Sequence, residues 1–184
     1  SAISLRPDDA VRHFSNALQA DPQLFSARYG RGVIHLQRYL DDKAHPRAGT
    51  DLPSLKQRAL EDLRQAARAG ASGWEHDYAR AGTALAEERF EEVVAVAASV
   101  PLGDPTGADV LLLSARALAS LGRPADAVQA CDRILRLRPG HYRAHLLRGE
   151  AHYSLRKWDP AAADYARVLA YCPFFASAWN MLGI

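Results

Sequence analysis

Pro105, Pro139 and Pro173 stand 34 residues apart. Between them the apolar residues recur at helical spacing, and no stretch alternates apolar and polar residues for long enough to predict a strand. Proline cannot donate the hydrogen bond that would carry a helix onward, so each proline closes a helical run. A fixed period of this length restricts the chain to stacked helical hairpins, each burying its apolar face only against its neighbours.

The register between periods is close. Aligning residues 108–141 with 142–175 puts Ala115 and Gly149 in the eighth slot, where the first helix crowds its partner. Ala127 and Ala161 share the twentieth slot, Cys131 and Tyr165 the twenty-fourth, Leu135 and Leu169 the twenty-eighth, and Pro139 and Pro173 the thirty-second. Small residues at crossings with larger ones between them are what two packed antiparallel helices need. Pro7 and Pro124 open second helices within a shared Arg-Pro-x-Asp-Ala-Val motif, and Asp159-Pro160 reads as an N-cap followed by a first-turn proline.

These positions resemble the tetratricopeptide repeat (TPR) family. Its W-x2-L-G element stands as Trp179, Leu182 and Gly183, and its A-x3-F element as Ala10 and Phe14, followed by Ala17, Leu18 and Pro22. The resemblance covers nearly the whole chain and implies an all-α, right-handed TPR superhelix built from antiparallel helix pairs.

Upstream, residues 74–107 keep the register with Ala81 in the small slot and Phe90 at the turn, while Pro101 shortens the second helix. Residues 25–73 form a repeat in which Ala27, Arg31 and Gly32 match Ala144, Arg148 and Gly149. Its second helix, with Ala59, Leu63 and Ala66, fits only if about 15 residues are inserted before it. The insert, over about 39–53 and centred on Asp41 to Pro53, is rich in Asp, Pro, Gly and Thr and predicts a surface loop. Residues 1–24 supply a second helix without its first, and 176–184 start a further repeat. The half repeats predict a segment of a longer array; the alternative is a unit that self-associates through them.

Composition excludes several classes. The chain is 48% hydrophobic and 24% charged, enough to bury a core. Its net charge of +2 does not imply a nucleic-acid partner, although residues 108–184 carry 10 basic and 6 acidic groups. Cys131 and Cys172 form no metal-type spacing and no disulfide framework, which predicts a reducing, cytoplasmic setting; a cilium or the cytoskeleton is the alternative. No apolar run reaches the length of a membrane span.

Catalytic and metal chemistry find little footing. His141, His145 and His152 could share a helix face, but His145 and His152 occupy slots where TPRs place aromatics, and His35 shares the slot of His152. Supporting ligands at zinc spacing are missing. Ser114 and Ser120 have no His–Asp pair or strand-to-helix elbow. Glu87-Glu88 and Glu91-Glu92 read as a solvated face and first-turn charges. Gly30-Arg31-Gly32 lacks the third glycine of a phosphate loop. The expectation is no enzyme, no metal and no cofactor.

What remains is surface. The resemblance implies that first helices line a concave groove. Its slots are filled here by Tyr78, Leu85, Leu112, Arg116, Arg143, Leu146, Glu150, Tyr153 and Asn180. Two-carboxylate chaperone-tail clamps in this family use Lys, Asn and Arg at set slots, and these residues match only an occasional cation. A groove with apolar anchors predicts an extended or helical protein segment as partner; the competing expectation is that neighbouring helices partly bury Leu112, Leu146 and Tyr153. Arg133, Arg136, Arg138, Arg143 and Arg148 cluster at a repeat junction, either as a solvated face or as a patch for an acidic partner. Stacking aromatics that would point to RNA or DNA are not interleaved with them. The function expected is a non-catalytic scaffold or adaptor in a larger assembly. The alternatives are a regulatory or substrate-recruiting region of a longer enzyme, and a structural part of a cytoskeletal or ciliary assembly.

Overall fold

The computed structural model describes residues 7–44, 46–68, 73–101, 107–173 and Trp179, and every regular element among them is a helix. In chain order these are α1 (Pro7–Ala20), α2 (Phe25–Ala44), α3 (Leu52–Arg68), α4 (Trp74–Ala86), α5 (Phe90–Ala98), α6 (Ala108–Ser120), α7 (Pro124–Leu137), α8 (Tyr142–Ser154) and α9 (Trp158–Tyr171). None is long and apolar enough to cross a membrane. The chain divides between Glu87 and Glu88 into two compact units. In the first, α2 pairs with α3, flanked by α1 and α4; in the second, α6 pairs with α7 and α8 with α9, with α5 against α6 and α7 against α8.

The prolines act as the sequence implies. Pro22, Pro139 and Pro173 each follow the last residue of a helix (Ala20, Leu137 and Tyr171) by two positions. Pro7 and Pro124 open α1 and α7, and α5 stops at Ala98, ahead of Pro101. Pro105 lies outside the described residues. One cap differs from expectation. Lys157 is the N-cap of α9, and Asp159 stands inside the first turn, where its charge favours the helix N-terminus.

The hairpin turns repeat a single device. At the fifteenth slot Glu88, Gly122 and Arg156 all take left-handed φ values of 63, 70 and 57°. After α6, the Gly122 N–H donates to the Ala119 carbonyl at 3.1 Å and the Arg123 N–H to the Leu118 carbonyl at 2.9 Å. After α8, Arg156 donates to Tyr153 and Lys157 to His152, both at 2.9 Å. This is the Schellman closure, which satisfies orphan carbonyls at a helix end and needs one left-handed residue. Gly122 adopts that conformation freely; Glu88 and Arg156 adopt it at the expense of strain.

The crossings explain the small slots. A Cβ on Gly149 would lie 2.8 Å from the Tyr165 ring and 3.3 Å from Asp164 Cβ. A Cβ on Gly32 would lie 3.0 Å from both Asp62 Cβ and Leu63. Leu36, Leu63, Ala59 and Ala66 fill the first unit's core; Val93, Val110, Cys131, Ile134, Tyr165 and Val168 fill the second's. Burying a side chain of the larger kinds contributes about 1.5–3 kcal/mol.

The insert departs from the expected loop over 39–53. Helix α2 continues to Ala44 and α3 begins at Leu52, so only the residues between them leave the helices. Local contacts account for the extra turns. Tyr39 is buried with the Lys43 ammonium 5.8 Å from its ring centre, and the buried Asp42 carboxylate accepts from Arg47 at 2.5 Å. Asp51 caps α3 by accepting from the Ser54 N–H at 3.1 Å. The Asp, Gly and Pro that suggested a loop are therefore a buried ion-pair partner, a cap, a turn at Gly49 (φ 81°) and a first-turn proline.

Candidate protein-interaction face

Two arginine clamps organise the first helices. In α8, Arg148 donates through Nε to Asp164 Oδ2 at 2.9 Å and through Nη2 to Asp164 Oδ1 at 2.7 Å. Its Nη1 donates to Asp132 Oδ1 at 2.6 Å. One guanidinium thus ties α8 to α9 and to α7. In α2, Arg31 repeats the arrangement: Nε and Nη2 donate to Asp62 of α3 at 2.7 and 2.8 Å, and Nη1 donates to Ser15 of α1 at 3.2 Å. Arg31 and Arg148 share the seventh slot, Asp62 and Asp164 the twenty-third, and Ser15 and Asp132 the twenty-fifth. The aspartate hydrogen bonds raise both arginine pKa values, against opposing desolvation.

The histidines go to separate partners. His145 Nδ1 lies 2.9 Å from Asp164 Oδ1 and its Nε2 3.0 Å from the Pro139 carbonyl, joining the clamp to the turn before α8. His141 accepts from the Ala144 N–H at 3.2 Å, capping α8, and its Nε2 stands 3.8 Å from Asp109. That contact with His141 is the largest cause holding the Asp109 pKa below its ordinary value; Arg138 and Arg143 assist, and burial opposes them. His35 and His152 share the eleventh slot, and both pKa values fall, chiefly through burial. No cluster of three or more His, Cys, Asp or Glu able to hold a metal ion occurs among the described residues. Cys131 is buried and its pKa is pushed up to about 12, chiefly by desolvation, so its thiol is held protonated.

The groove residues divide sharply. Tyr78, Leu85, Leu112 and Leu146 are 4, 5, 7 and 8% exposed and are core residues, not contact anchors. Tyr78 packs edge-on against Tyr29 of α2, with ring centres 5.9 Å apart. Leu146 lies in a cluster with Ala161, Tyr165 and Val168. Leu85 and Leu112 sit on α4 and α6, helices buried over most of their residues. Tyr153 is different. It is 46% exposed and meets the 55%-exposed Trp158 edge-to-face, with centres 5.0 Å apart. Arg116, Arg143 and Glu150 are half-buried and each has an interaction within the chain. Asn180 lies outside the described residues.

The arginine group divides as well. Arg133 donates to the Val100 carbonyl at 3.3 Å, and Arg138 Nη1 stands 3.8 Å from Asp109. Arg143 lies over the Tyr142 ring, 5.8 Å from its centre, and donates through Nε to the Tyr142 hydroxyl at 3.0 Å. Arg136 is exposed on α7. Arg148 does not belong to an acidic-partner patch, because its guanidinium is committed to Asp164 and Asp132.

A tetratricopeptide repeat family model matches residues 4–51, 82–142 and 112–174, well over half of the chain. The chain belongs to the tetratricopeptide repeat family. Solved TPR structures superpose on nearly all of it. A thermophilic TPR protein from Thermus thermophilus aligns with a TM-score of 0.72 at 20% identity, covering 97% of this chain and 89% of that one. A TPR protein from Parabacteroides merdae aligns at 0.71 and 14% identity, covering 96% and 63%. YrrB, a TPR protein with an unusual peptide-binding site, aligns at 0.57 and 15% identity, covering 97% and 84%. Among curated proteins, FK506-binding protein-like from Mus musculus and from Homo sapiens each match at 43% identity over 63 residues. That stretch is 34% of this chain and only 18% of those relatives' length.

The TPR register held the signal for the clamps. Arg31 and Arg148 align with one another, and Asp62 and Asp164 each stand three residues after the alanine of the twentieth slot. Pairing these four positions moves Arg148 from the surface patch into the hairpin. Nothing in the sequence marks Trp158 as the ring beside Tyr153, because its slot holds Phe90 and Pro124 in the other two regular repeats.

Proposed function

We propose that this TPR array is a non-catalytic protein-interaction scaffold, holding an extended or helical segment of a partner against the first helices α6 and α8. The exposed Tyr153–Trp158 pair carries this reading. It presents two large aromatic rings where α8 ends and α9 begins, with Glu150 and Arg143 earlier on α8 and Arg116 on α6, while Tyr78, Leu85, Leu112 and Leu146 are buried in the core. Rigid aromatic anchors with a charged surround are the composition of interface hot spots. The peptide-binding site of YrrB lends the reading support from a shared fold. The setting proposed is a cytoplasmic multiprotein assembly, in keeping with the free cysteines.

The test is affinity capture with Tyr153→Ala/Trp158→Ala and with Arg143→Glu, quantified against the parent chain. Both variants should retain helicity by circular dichroism and lose the same partners. Unchanged partners with both variants would refute the placement.

A second reading rests on coverage. The chain spans 18% of the length of the FK506-binding protein-like relatives it matches, which favours a recruiting or regulatory region of a longer protein. The full-length gene product decides it: a neighbouring catalytic domain supports this reading, and continuous TPRs support the scaffold.

A further inference from the structure

The arginine clamp is dismantled between α3 and α4. The slot of Arg31 and Arg148 holds Arg80 in α4. The acceptors used elsewhere are an aspartate at the twenty-third slot and Ser15 or Asp132 at the twenty-fifth slot of the preceding second helix. In this register those positions hold Val96 and Arg64. The clamp thus loses both acceptors, and one is replaced by a like charge. Arg80 is exposed, and Arg64 turns to Glu87.

Arg64 also lines a cleft of about 530 Å³ along α3, together with Lys56, Leu60, Glu61 and Arg68. That volume is in the range of binding clefts. On α9 four of the corresponding positions are alanine, Ala162, Ala163, Ala166 and Ala170 standing where α3 has Leu60, Glu61, Arg64 and Arg68, while Trp158 stands at the slot of Lys56. The arginines at the slots of Ala166 and Ala170 therefore give α3 cations that α9 does not have there. Lys56, Arg64 and Arg68 are separated by about 12 and 6 Å of helix axis, with Leu60 between them. Against these cations the described lining residues include a single carboxylate, Glu61.

We propose that this face of α3, with Arg80 of α4, docks an acidic segment of a partner protein, whose carboxylates take the place of the missing aspartates. Leu60 receives one apolar side chain of that segment. A nucleic acid suits the cleft less well, because the described residues lining it include no aromatic ring for base stacking and Glu61 repels phosphate.

The test is fluorescence anisotropy on the full chain with three labelled probes: a Glu/Ala peptide with one central Leu, the same peptide with Lys for Glu, and a single-stranded DNA oligonucleotide. The Glu peptide should bind, weaken with salt, and exceed the other two. Lys56→Glu with Arg68→Glu should weaken it about tenfold or more, and Arg80→Glu should weaken it also. Arg143→Glu, on the α8 face, should leave it unchanged, which separates this site from the one proposed above. Equal binding of the Glu and Lys peptides, tighter binding of the oligonucleotide, or indifference to Lys56→Glu/Arg68→Glu with helicity intact would each overturn the proposal.

Discussion

Replacing Arg148 by Met tests whether the clamp belongs to the fold or to the surface. The Asp164 side chain is 3% exposed and accepts two guanidinium hydrogen bonds at 2.7 and 2.9 Å. Without Arg148 that carboxylate is left with His145. Removing one partner of a buried ion pair costs about 3–5 kcal/mol, because the other charge stays buried. Arg148 is itself 24% exposed, so the lower end applies, about 3 kcal/mol. For a chain of this size that lowers Tm by roughly 6–12 °C. Asp132 is 39% exposed, so Asp132→Asn should cost less than about 1 kcal/mol. The variant Arg148→Met/Asp164→Leu removes both charges and should recover to within about 1 kcal/mol of the parent. Urea unfolding followed by circular dichroism measures these three and the single Asp164→Leu, which closes the cycle and gives the coupling. The reasoning fails if Arg148→Met costs no more than Asp132→Asn, or if the double variant loses the sum of its single changes.

Three further outcomes follow from the geometry. Gly149→Leu drives a side chain into the Tyr165 ring and Asp164 and should cost about 1–3 kcal/mol, read as a fall in Tm. At the fifteenth slot, Arg156→Gly should relieve left-handed strain and stabilise by roughly 0.5 kcal/mol, whereas Gly122→Ala should destabilise by about 1 kcal/mol; opposite signs in denaturant unfolding are the check. His35 has a folded pKa below its ordinary 6.5, so the unfolded chain takes up that proton first as pH falls. Its contribution is complete above pH 6.5 and is lost below it, down toward the depressed value, and His35→Leu should flatten the pH dependence of stability in that window.

The hairpins are legible because they rest on spacing. Slots for Ala, Gly and Pro follow from where helices cross and end, and these constraints are local and repeated. The insert is harder to read because its composition says little about its environment. Asp42 reads as a loop residue until Arg47 is known to cover it, and Asp51 reads so until it caps α3. The groove is obscured for a related reason. Position on a first helix gives a direction but not what stands opposite: Tyr29 covers Tyr78, and Tyr165 packs in the cluster that encloses Leu146.

The arginines show where register decides more than residue type. Arg31, Arg80 and Arg148 occupy one slot and have different fates. Two of them meet an aspartate on their own second helix and a hydroxyl or carboxylate on the preceding one, and both are held in the fold. For the third, the sequence has Val96 and Arg64 in those slots, and Arg80 is exposed. An arginine-rich composition cannot separate these cases, and neither can local clustering, which groups Arg148 with Arg136. Comparing the same slot across repeats separates them at once, since a guanidinium with both acceptors is structural and one that has lost them faces solvent. In an array whose repeats share one backbone plan, the places that answer a slot differently from their neighbours are where binding specificity has room to arise.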